Sequence, residues 1–542
     1  MKNSSSKTLQ LFLWFAIALA LGIIIGVGYS GNNLPYSQNR LLSLLTGDNT
    51  KVNSILDLVK DKYVDSIDVD SMEDLAVNQI LGSLDPHTVY LPPNDAQHQN
   101  ESLEGNFDGI GIEYFLLKDT IFITDVRPYG PADKSGLKRG DKIIGVNNQL
   151  FKQNSLSSDS VVDKLRGKKG SAVSVTILRD GNLISNISIT RDKILVSSID
   201  AAYLINSTTG FIKIAKFGAN TEDDFVEELQ KMEAMGIKNL ILDLRGNGGG
   251  YLDAATALAD QFLPKGKLIV YTKGLHEPRT DYAATENGLF ENGKVAVLVD
   301  EGTASASEIV AGALQDWDRG TIIGRRSFGK GLVQQQFMFN DGSAMNLTVA
   351  RYYTPSGRSI QKSYKNGNTY YKEEVKRRFK KGEITSLDSN LADTSLFSPK
   401  LKFKTATGKA VYGGGGIMPD IFIPLDTTKR SNFYETIVSE SLTANFVYAK
   451  LIQEAHASNY KSVTDFINNY QITDKQYQQF LAYCNSFKVK ASDNETQKSK
   501  PLILRNLKSI LVKYYYGDEG YYRYTNTDDD FVKAALQKIQ NP

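Results

Sequence analysis

The chain has one cysteine, Cys484, and four histidines, His87, His98, His276 and His456, among its 542 residues. A lone thiol excludes an internal disulfide and any cysteine-rich zinc site, although it does not fix the compartment. None of the histidines lies where a strand hands over to a helix, so no Ser-His-Asp arrangement competes well. Charge of one sign is also missing. The 63 Lys and Arg against 61 Asp and Glu give a formal net charge of +2, with no basic block to bind nucleic acid. Nucleotide loops are absent as well. The G-x-x-x-x-G-K-[ST] spacing does not occur, and the one glycine-rich turn, 246–250, fits the G-x-G-x-x-G register poorly, with no acidic strand end at the expected distance. The length predicts three or four domains.

What is present centres on residues 294–337. An apolar run, 294–299, ends at Asp300-Glu301-Gly302 and reads as a buried strand and turn. The following stretch, 304–314, is rich in Ala, Glu and Leu at helical spacing, so Ser305 sits at a strand-to-helix junction. Amides at a helix start are unpaired, and an oxyanion formed beside Ser305 would find the Ala306 N–H and the helix dipole. The plainer alternative makes Ser305 and Glu308 an S-x-x-E capping box. A second short strand is expected at 321–324, then the turn Ser327-Phe328-Gly329-Lys330-Gly331 and a β-run, 332–339. Lys330 between two glycines is either a solvated turn residue or, with its pKa lowered by apolar surroundings, a base for a serine.

G-T-A-S-A-S-E-I at 302–309 followed by F-G-K-G-x-x-Q at 328–334 resembles the carboxyl-terminal processing peptidases, or tail-specific proteases, which use a Ser–Lys dyad. The resemblance implies Ser305 as nucleophile, Lys330 as general base and Gln334 as the residue that orients the lysine. Alternation along a β-run would put Lys330 and Gln334 on one face. Ser307 is the rival nucleophile, and the family pattern demotes it. Residues 243–250, D-L-R-G-N-G-G-G, are similar to the family's D-L-R-x-N-x-G-G motif, with Gly248 where proline is common. Gly249 or Gly250 would then supply the second oxyanion amide beside Ala306, and Asp243 with Arg245 would fix the turn.

Other motifs follow in order. Helical patterns at 52–63 and 71–84 lead into Leu84-Asp85-Pro86-His87, which resembles the family's L-D-P-H motif and makes His87 a structural hydrogen-bonding residue. Short β-runs between 109 and 189, with Pro131-Ala132, Gly136-Leu137, Gly140-Asp141 and Ile143, resemble a PDZ domain. Its carboxylate-binding loop would be 107–112, with Phe107, Gly109, Ile110, Gly111 and Ile112 meeting a peptide C-terminus and the two isoleucines framing a pocket for the last side chain. From about 194, strands and helices interleave as in an α/β core. Residues 354–358 and the glycine motif at 412–420 also resemble the family, which covers roughly 50–425. The charged stretch 366–400 reads as an insertion or mobile flap. Beyond 430 the pattern is helical and aromatic-rich, with the aromatics expected to fill a helical core.

At the N-terminus, Lys2 and Lys7 precede an apolar stretch, 11–27. It reads as an uncleaved inner-membrane anchor in preference to a removed signal peptide, with the catalytic part in the periplasm. The expected organisation is therefore an anchor or signal segment (1–30), a tether and N-terminal helical segment (31–100), a PDZ-like domain (101–192), an α/β serine peptidase core (193–428) and a helical C-terminal domain (429–542). The fold class is multidomain α/β, with a core of the ClpP/crotonase-like type as the resemblance implies. The implied function is a serine endopeptidase that cuts envelope proteins near accessible C-terminal tails, alone or as a homo-oligomer. The alternative is a non-catalytic PDZ scaffold that binds such tails. No metal or organic cofactor is implied, because acyl transfer through a serine ester needs neither.

Overall fold

The structure, a computed structural model, describes residues 51–152, 156–286, 288–386 and 398–540 together with Trp14. The expected anchor at 11–27 lies otherwise outside the described residues, and no helix among the described residues is long and apolar enough to cross a membrane. The chain forms two units, 1–83 and 84–542. The first contains α1 (Lys51–Lys62) and α2 (Val69–Gly82). The α2 start is fixed by Asp68, whose carboxylate accepts the Ser71 N–H at 3.2 Å, as an N-cap should.

The second unit opens with β1 (Val89–Leu91) and α3 (Pro93–Glu104), a helix that leads directly into a small β domain. That domain comprises β2 (Asn106–Gly109), β3 (Ile112–Leu117), β4 (Thr120–Val126), α4 (Pro131–Lys134), β5 (Lys142–Val146), β6 (Gln149–Leu150), α5 (Ser158–Leu165), β7 (Ala172–Arg179), β8 (Asn182–Thr190) and β9 (Asp192–Leu195). The sheet order is β3-β4-β5-β7-β8, with β2 paired to β9 beside it. Its core is a cluster of Ile, Val and Leu that includes Ile121, Ile143, Val161 and Val175.

The α/β core follows with β10 (Ile199–Asn206), β11 (Thr209–Ile214), α6 (Thr221–Ala234), β12 (Asn239–Asp243), α7 (Leu252–Asp260), β13 (Leu268–Lys273), β14 (Thr280–Ala283), β15 (Lys294–Val299), α8 (Ala306–Asp316), β16 (Gly320–Gly324), β17 (Leu332–Met338) and β18 (Ala344–Tyr353). After it come α9 (Asn368–Lys372), α10 (Glu374–Lys380), β19 (Lys402–Lys404), β20 (Ala410–Tyr412) and β21 (Ile421–Phe422). Strands β11, β12, β15, β16 and β21 run parallel, with β10 antiparallel at one edge. Period-two alternation sorts their side chains. Val295, Val297 and Val299 enter the cluster under α6, α7 and α8, while Ala296 and Leu298 enter a second cluster on the opposite face. A second sheet, β1-β18-β13-β14 with β17 on β18, is antiparallel throughout.

The C-terminal part contains α11 (Asn432–Ser439), α12 (Leu442–Phe446), α13 (Ile452–Ala455), α14 (Val463–Asn469), α15 (Asp474–Ser486), α16 (Asp493–Thr525) and α17 (Asp530–Gln540), with one π turn at Val447–Leu451. Phe433, Phe446, Phe466, Tyr477 and Phe480 fill its own core. Tyr448 does not. It packs on Phe115 and Phe122 of the β domain, at centroid distances of 4.8 and 5.4 Å. The last helix also leaves its neighbours: Phe531, Val532, Ala535 and Ile539 of α17 cover the second face of the core sheet. Phe531, Val532 and Ile539 contribute about 1.5–3 kcal/mol each when fully buried.

The stretch 366–400, expected to be an insertion or mobile flap, is helical over part of its described residues and tied to the core by ion pairs. Residues 368–386 carry α9 and α10, and Glu374 and Glu383 pair with the buried Arg326 and Arg378 at 2.8–2.9 Å. Those charges are consumed by one another in the interior, where a pair must be matched, and are not a solvated face.

Candidate active site

Two loops at the C-terminal ends of β12 and β15 are sewn together by buried polar groups. Asp300 Oδ1 accepts the Gly246 and Gly302 amides at 2.8 and 3.0 Å, Thr303 Oγ1 donates to the Leu244 carbonyl at 2.9 Å, and the Ala304 N–H donates to the Asn247 carbonyl at 3.0 Å. The chain then turns sharply into α8 through Ser305, whose φ of 57° and ψ of −118° are unusual for a residue with a side chain. Strain of this kind costs on the order of 1–3 kcal/mol and clusters where function over-determines the backbone.

The capping arrangement expected of Ser305 and Glu308 is present at the start of α8. Glu308 accepts the Ser305 N–H at 2.8 Å, and the Glu308 N–H goes to the Ser305 carbonyl, also at 2.8 Å. Ser305 lines a cavity of about 410 Å³. Ser307 differs: it is fully buried and its hydroxyl donates to the Asn247 carbonyl at 3.0 Å.

Lys330 lines the same cavity. Its Nζ donates to Gln334 Oε1 at 2.9 Å, and Gln334 Nε2 donates to the His87 carbonyl. The pairing arises differently from simple strand alternation. Strand β17 begins only at Leu332, and a bulge between Val333 and Gln334 re-aims the glutamine. Burial lowers the pKa of the lysine amine below its ordinary value, against the opposing carboxylates of Asp85 and Glu308. Among the described residues no hydrogen bond joins Ser305 Oγ directly to Lys330 Nζ. Such bonds commonly tighten only with substrate in place.

Two side chains that the sequence reading gave no part in the site tie the serine loop to the lysine loop. Glu308, fully buried, accepts from the Ser305 N–H, from the Gly329 and Lys330 amides at 2.8 and 2.9 Å and from the Ser327 hydroxyl at 2.5 Å. Burial pushes its pKa up to about 7, with these donors opposing the shift. The Tyr352 hydroxyl lies 3.0 Å from the Ser305 carbonyl and 2.5 Å from the Lys330 carbonyl. Glu308 was legible only as the fourth position of S-x-x-E. Nothing local marked Tyr352.

The oxyanion candidates surround the serine. Ala306 is the first residue of α8, and its N–H has no partner among the described residues. Gly249 lies so close that a Cβ there would sit 2.7 Å from Ser305 Cβ and 2.9 Å from Ala306 N. Its own N–H, however, donates to Asn247 Oδ1 at 2.9 Å. The Gly250 N–H has no partner among the described residues. Asp243 and Arg245 form a bidentate pair (3.0 and 2.6 Å), and Arg245 also reaches Asp529 ahead of α17 at 2.8 Å.

In the β domain, β3 is an edge strand, paired among the described residues with β4 alone. The loop before it carries Gly109, Ile110 and Gly111, the last at φ 77°. Ile112 is partly exposed. Ile110 does not frame an open pocket as expected: it is 2% exposed and belongs to the domain core. Phe107 is held beneath the Arg166 guanidinium, 4.2 Å from its ring centroid.

A half-exposed serine on a strained turn, a half-buried lysine of depressed pKa and unpaired amides form a set suited to acyl transfer. Residues 208–367 match peptidase family S41, and residues 99–178 match the PDZ domain. A probable CtpA-like serine protease of Staphylococcus aureus (strain COL) is 32% identical over 367 residues, covering 66% of this chain and 73% of that protein. The chain belongs to peptidase family S41. The S41 assignment makes it a peptidase and not a non-catalytic scaffold, and the PDZ match makes proteins its substrates. A similar relative from Staphylococcus epidermidis is 32% identical over 366 residues, with the same coverage of both chains. A solved photosystem II D1 C-terminal processing protease is 30% identical, covers 56% of this chain and 83% of its own, and superposes with a TM-score of 0.33. Residues 433–517 match a family of unknown function, DUF8443.

Proposed function

We propose that this S41 peptidase works through a Ser305–Lys330 dyad and selects protein substrates by their free C-termini. Neutral Lys330 takes the proton as Ser305 Oγ attacks the scissile carbonyl, then returns it to the leaving amine. Water hydrolyses the resulting ester by the reverse use of the same groups. Gln334 holds the amine, and the Ala306 N–H, with that of Gly250, receives the oxyanion. Engagement of the Gly249 N–H by Asn247 Oδ1 favours Gly250 over Gly249 in this role.

The observation that carries the reading is the contrast between the two serines. Ser305 lines the cavity that Lys330 also lines, whereas Ser307 is fully buried and its hydroxyl is donated to the Asn247 carbonyl. Purified Ser305→Ala should lose cleavage of an unstructured protein while keeping its fold, and Ser307→Ala should keep substantial turnover. The reverse pattern would transfer the role to Ser307.

A substrate tail is read by the PDZ domain: it adds to the free edge of β3 while its carboxylate meets the amides at 109–112. The apolar stretch 11–27, behind Lys2 and Lys7, tethers the enzyme to the inner membrane with its substrates in the cell envelope. Recovery of full-length protein in the soluble fraction after cell breakage contradicts the tether and leaves the chemistry untouched.

A further inference from the structure

The turn at 84–88 and the helix α9 converge on the Gln334 amide, which accepts from Lys330 Nζ. Asp85 is buried, and its Oδ1 accepts the His87 and Thr88 amides at 2.8 and 3.0 Å while Oδ2 takes the Thr88 hydroxyl at 2.6 Å. The Thr88 hydroxyl in turn accepts the Thr348 N–H at 3.1 Å. Thr348 is the residue of β18 directly opposite Gln334. The turn is thereby pinned across from the glutamine, where the His87 carbonyl receives Gln334 Nε2.

The His87 ring is held separately. Its Nε2 is 2.8 Å from the Tyr371 hydroxyl, and the ring meets Tyr371 and Phe328 edge-on at 5.3 and 6.4 Å. Tyr371 is buried on α9. The neighbouring α10 is fixed to the lysine loop, because Arg378 donates to the Arg326 carbonyl at 2.7 Å and Glu374 pairs with Arg326 at 2.9 Å. His87 and Lys330 are thus registered in one rigid frame.

The chemistry makes this frame matter. A glutamine amide accepts at one end and donates at the other. If its NH₂ faced Lys330, it would donate to the lone pair of the neutral amine and occupy the base. A carbonyl fixed at His87 forbids that flip by requiring the NH₂ on its own side. We propose that His87 and Tyr371 are positioning residues for the general base, acting through the orientation of the Gln334 amide. Burial, with the neighbouring Lys330 and Lys362, pushes the His87 pKa down to about 4, so the ring adds no positive charge beside the lysine at neutral pH.

The inference rests on the Ser305–Lys330–Gln334 reading, and a double-mutant cycle in the full chain separates the two. Tyr371→Phe keeps the ring against Phe328 and removes only the hydroxyl. On an unstructured protein substrate it should lower kcat roughly 10-fold, as small misplacements of a reacting group do, with KM unchanged within about twofold. In a Gln334→Ala background the same change should cost less than about twofold, because neighbours that act through one another are not additive. His87→Ala should show the same non-additivity. Equal losses in both backgrounds, an unchanged kcat for both Tyr371→Phe and His87→Ala, or full activity of Gln334→Ala would overturn the proposal. Lys330→Ala in the same series reports on the dyad itself: near-normal turnover there would refute the underlying reading, whereas an inactive Lys330→Ala with an additive cycle sinks only the positioning role.

Discussion

Replacing Gly249 with alanine should disable the enzyme more than it destabilises it. The added Cβ would lie 2.7 Å from Ser305 Cβ, 2.8 Å from the Ala304 carbonyl oxygen and 2.9 Å from Ala306 N, and the residue's φ is +98°. Left-handed backbone costs an L-residue about 1–2 kcal/mol, and overpacking of this kind costs about 1–3 kcal/mol. The expected loss of stability is therefore about 2–5 kcal/mol, measured by urea unfolding. None of the three clashing atoms is the end of a flexible side chain. Relief must move the nucleophile or the first amide of α8, and displacement of about 1 Å is enough to cost on the order of 100-fold in kcat. Gly248→Ala is the matched control, because a Cβ there meets nothing within 4 Å. It should change stability by no more than about 0.5 kcal/mol and leave kcat near normal. Wild-type kcat in Gly249→Ala, with the control equally active, would refute the packing reasoning.

Lys330→Arg should retain less than about 1% of activity, since a guanidinium stays protonated in a protein. Because burial lowers the Lys330 pKa, wild-type kcat/KM should rise with pH along a limb whose midpoint lies below the ~10.4 of a free lysine; a midpoint at or above that value contradicts the assignment. His87, depressed from 6.5 to about 4, binds fewer protons folded than unfolded within that window. Its contribution to stability is thus present above about pH 6.5 and lost as pH falls through 4, amounting to about 2–3 kcal/mol. Urea unfolding at pH 7 and pH 4 should therefore show a smaller acid loss for His87→Asn than for wild type, and equal losses would contradict it. Paired substrates that differ only in a free or amidated C-terminus should be cleaved at different rates; equal cleavage would remove the PDZ domain from substrate choice.

The parts of the site that could be read from the sequence are those whose chemistry is local. Ser305 stood out because an apolar strand ends six residues before it in a turn and an Ala-rich helix begins after it, and β15 and α8 lie nearly where that pattern put them. The glycine motif at 412–420 was legible as a motif but not as a contact. Gly416 packs against Ser327, where a Cβ would lie 2.7 Å from the hydroxyl oxygen. Helix α3, P-N-D-A-Q-H-Q-N-E-S-L-E, escaped notice because it offers only Ala96 and Leu103 as apolar positions, yet its Gln99, Asn100 and Leu103 line the catalytic cavity. The ion pairs of the charged segment around α9 and α10 were not legible for a related reason. Its partners, Arg326 and the lysine loop, lie about fifty residues upstream, and no local pattern distinguishes a buried ion network from a solvated face. Strand β17 shows the same limit on a smaller scale, since the bulge that aims Gln334 leaves no mark in the alternation.

The central claim is that Ser305 forms the acyl-enzyme with Lys330 as its base. Peptide mapping by mass spectrometry after treatment with a serine-directed acylating or phosphonylating inhibitor tests it most directly. The adduct should be found on the peptide containing residues 302–309 and be assigned by fragmentation to Ser305, and its formation should be strongly slowed in Lys330→Arg. An adduct on Ser307, or labelling of Ser305 that is unaffected by loss of the lysine, would contradict the account.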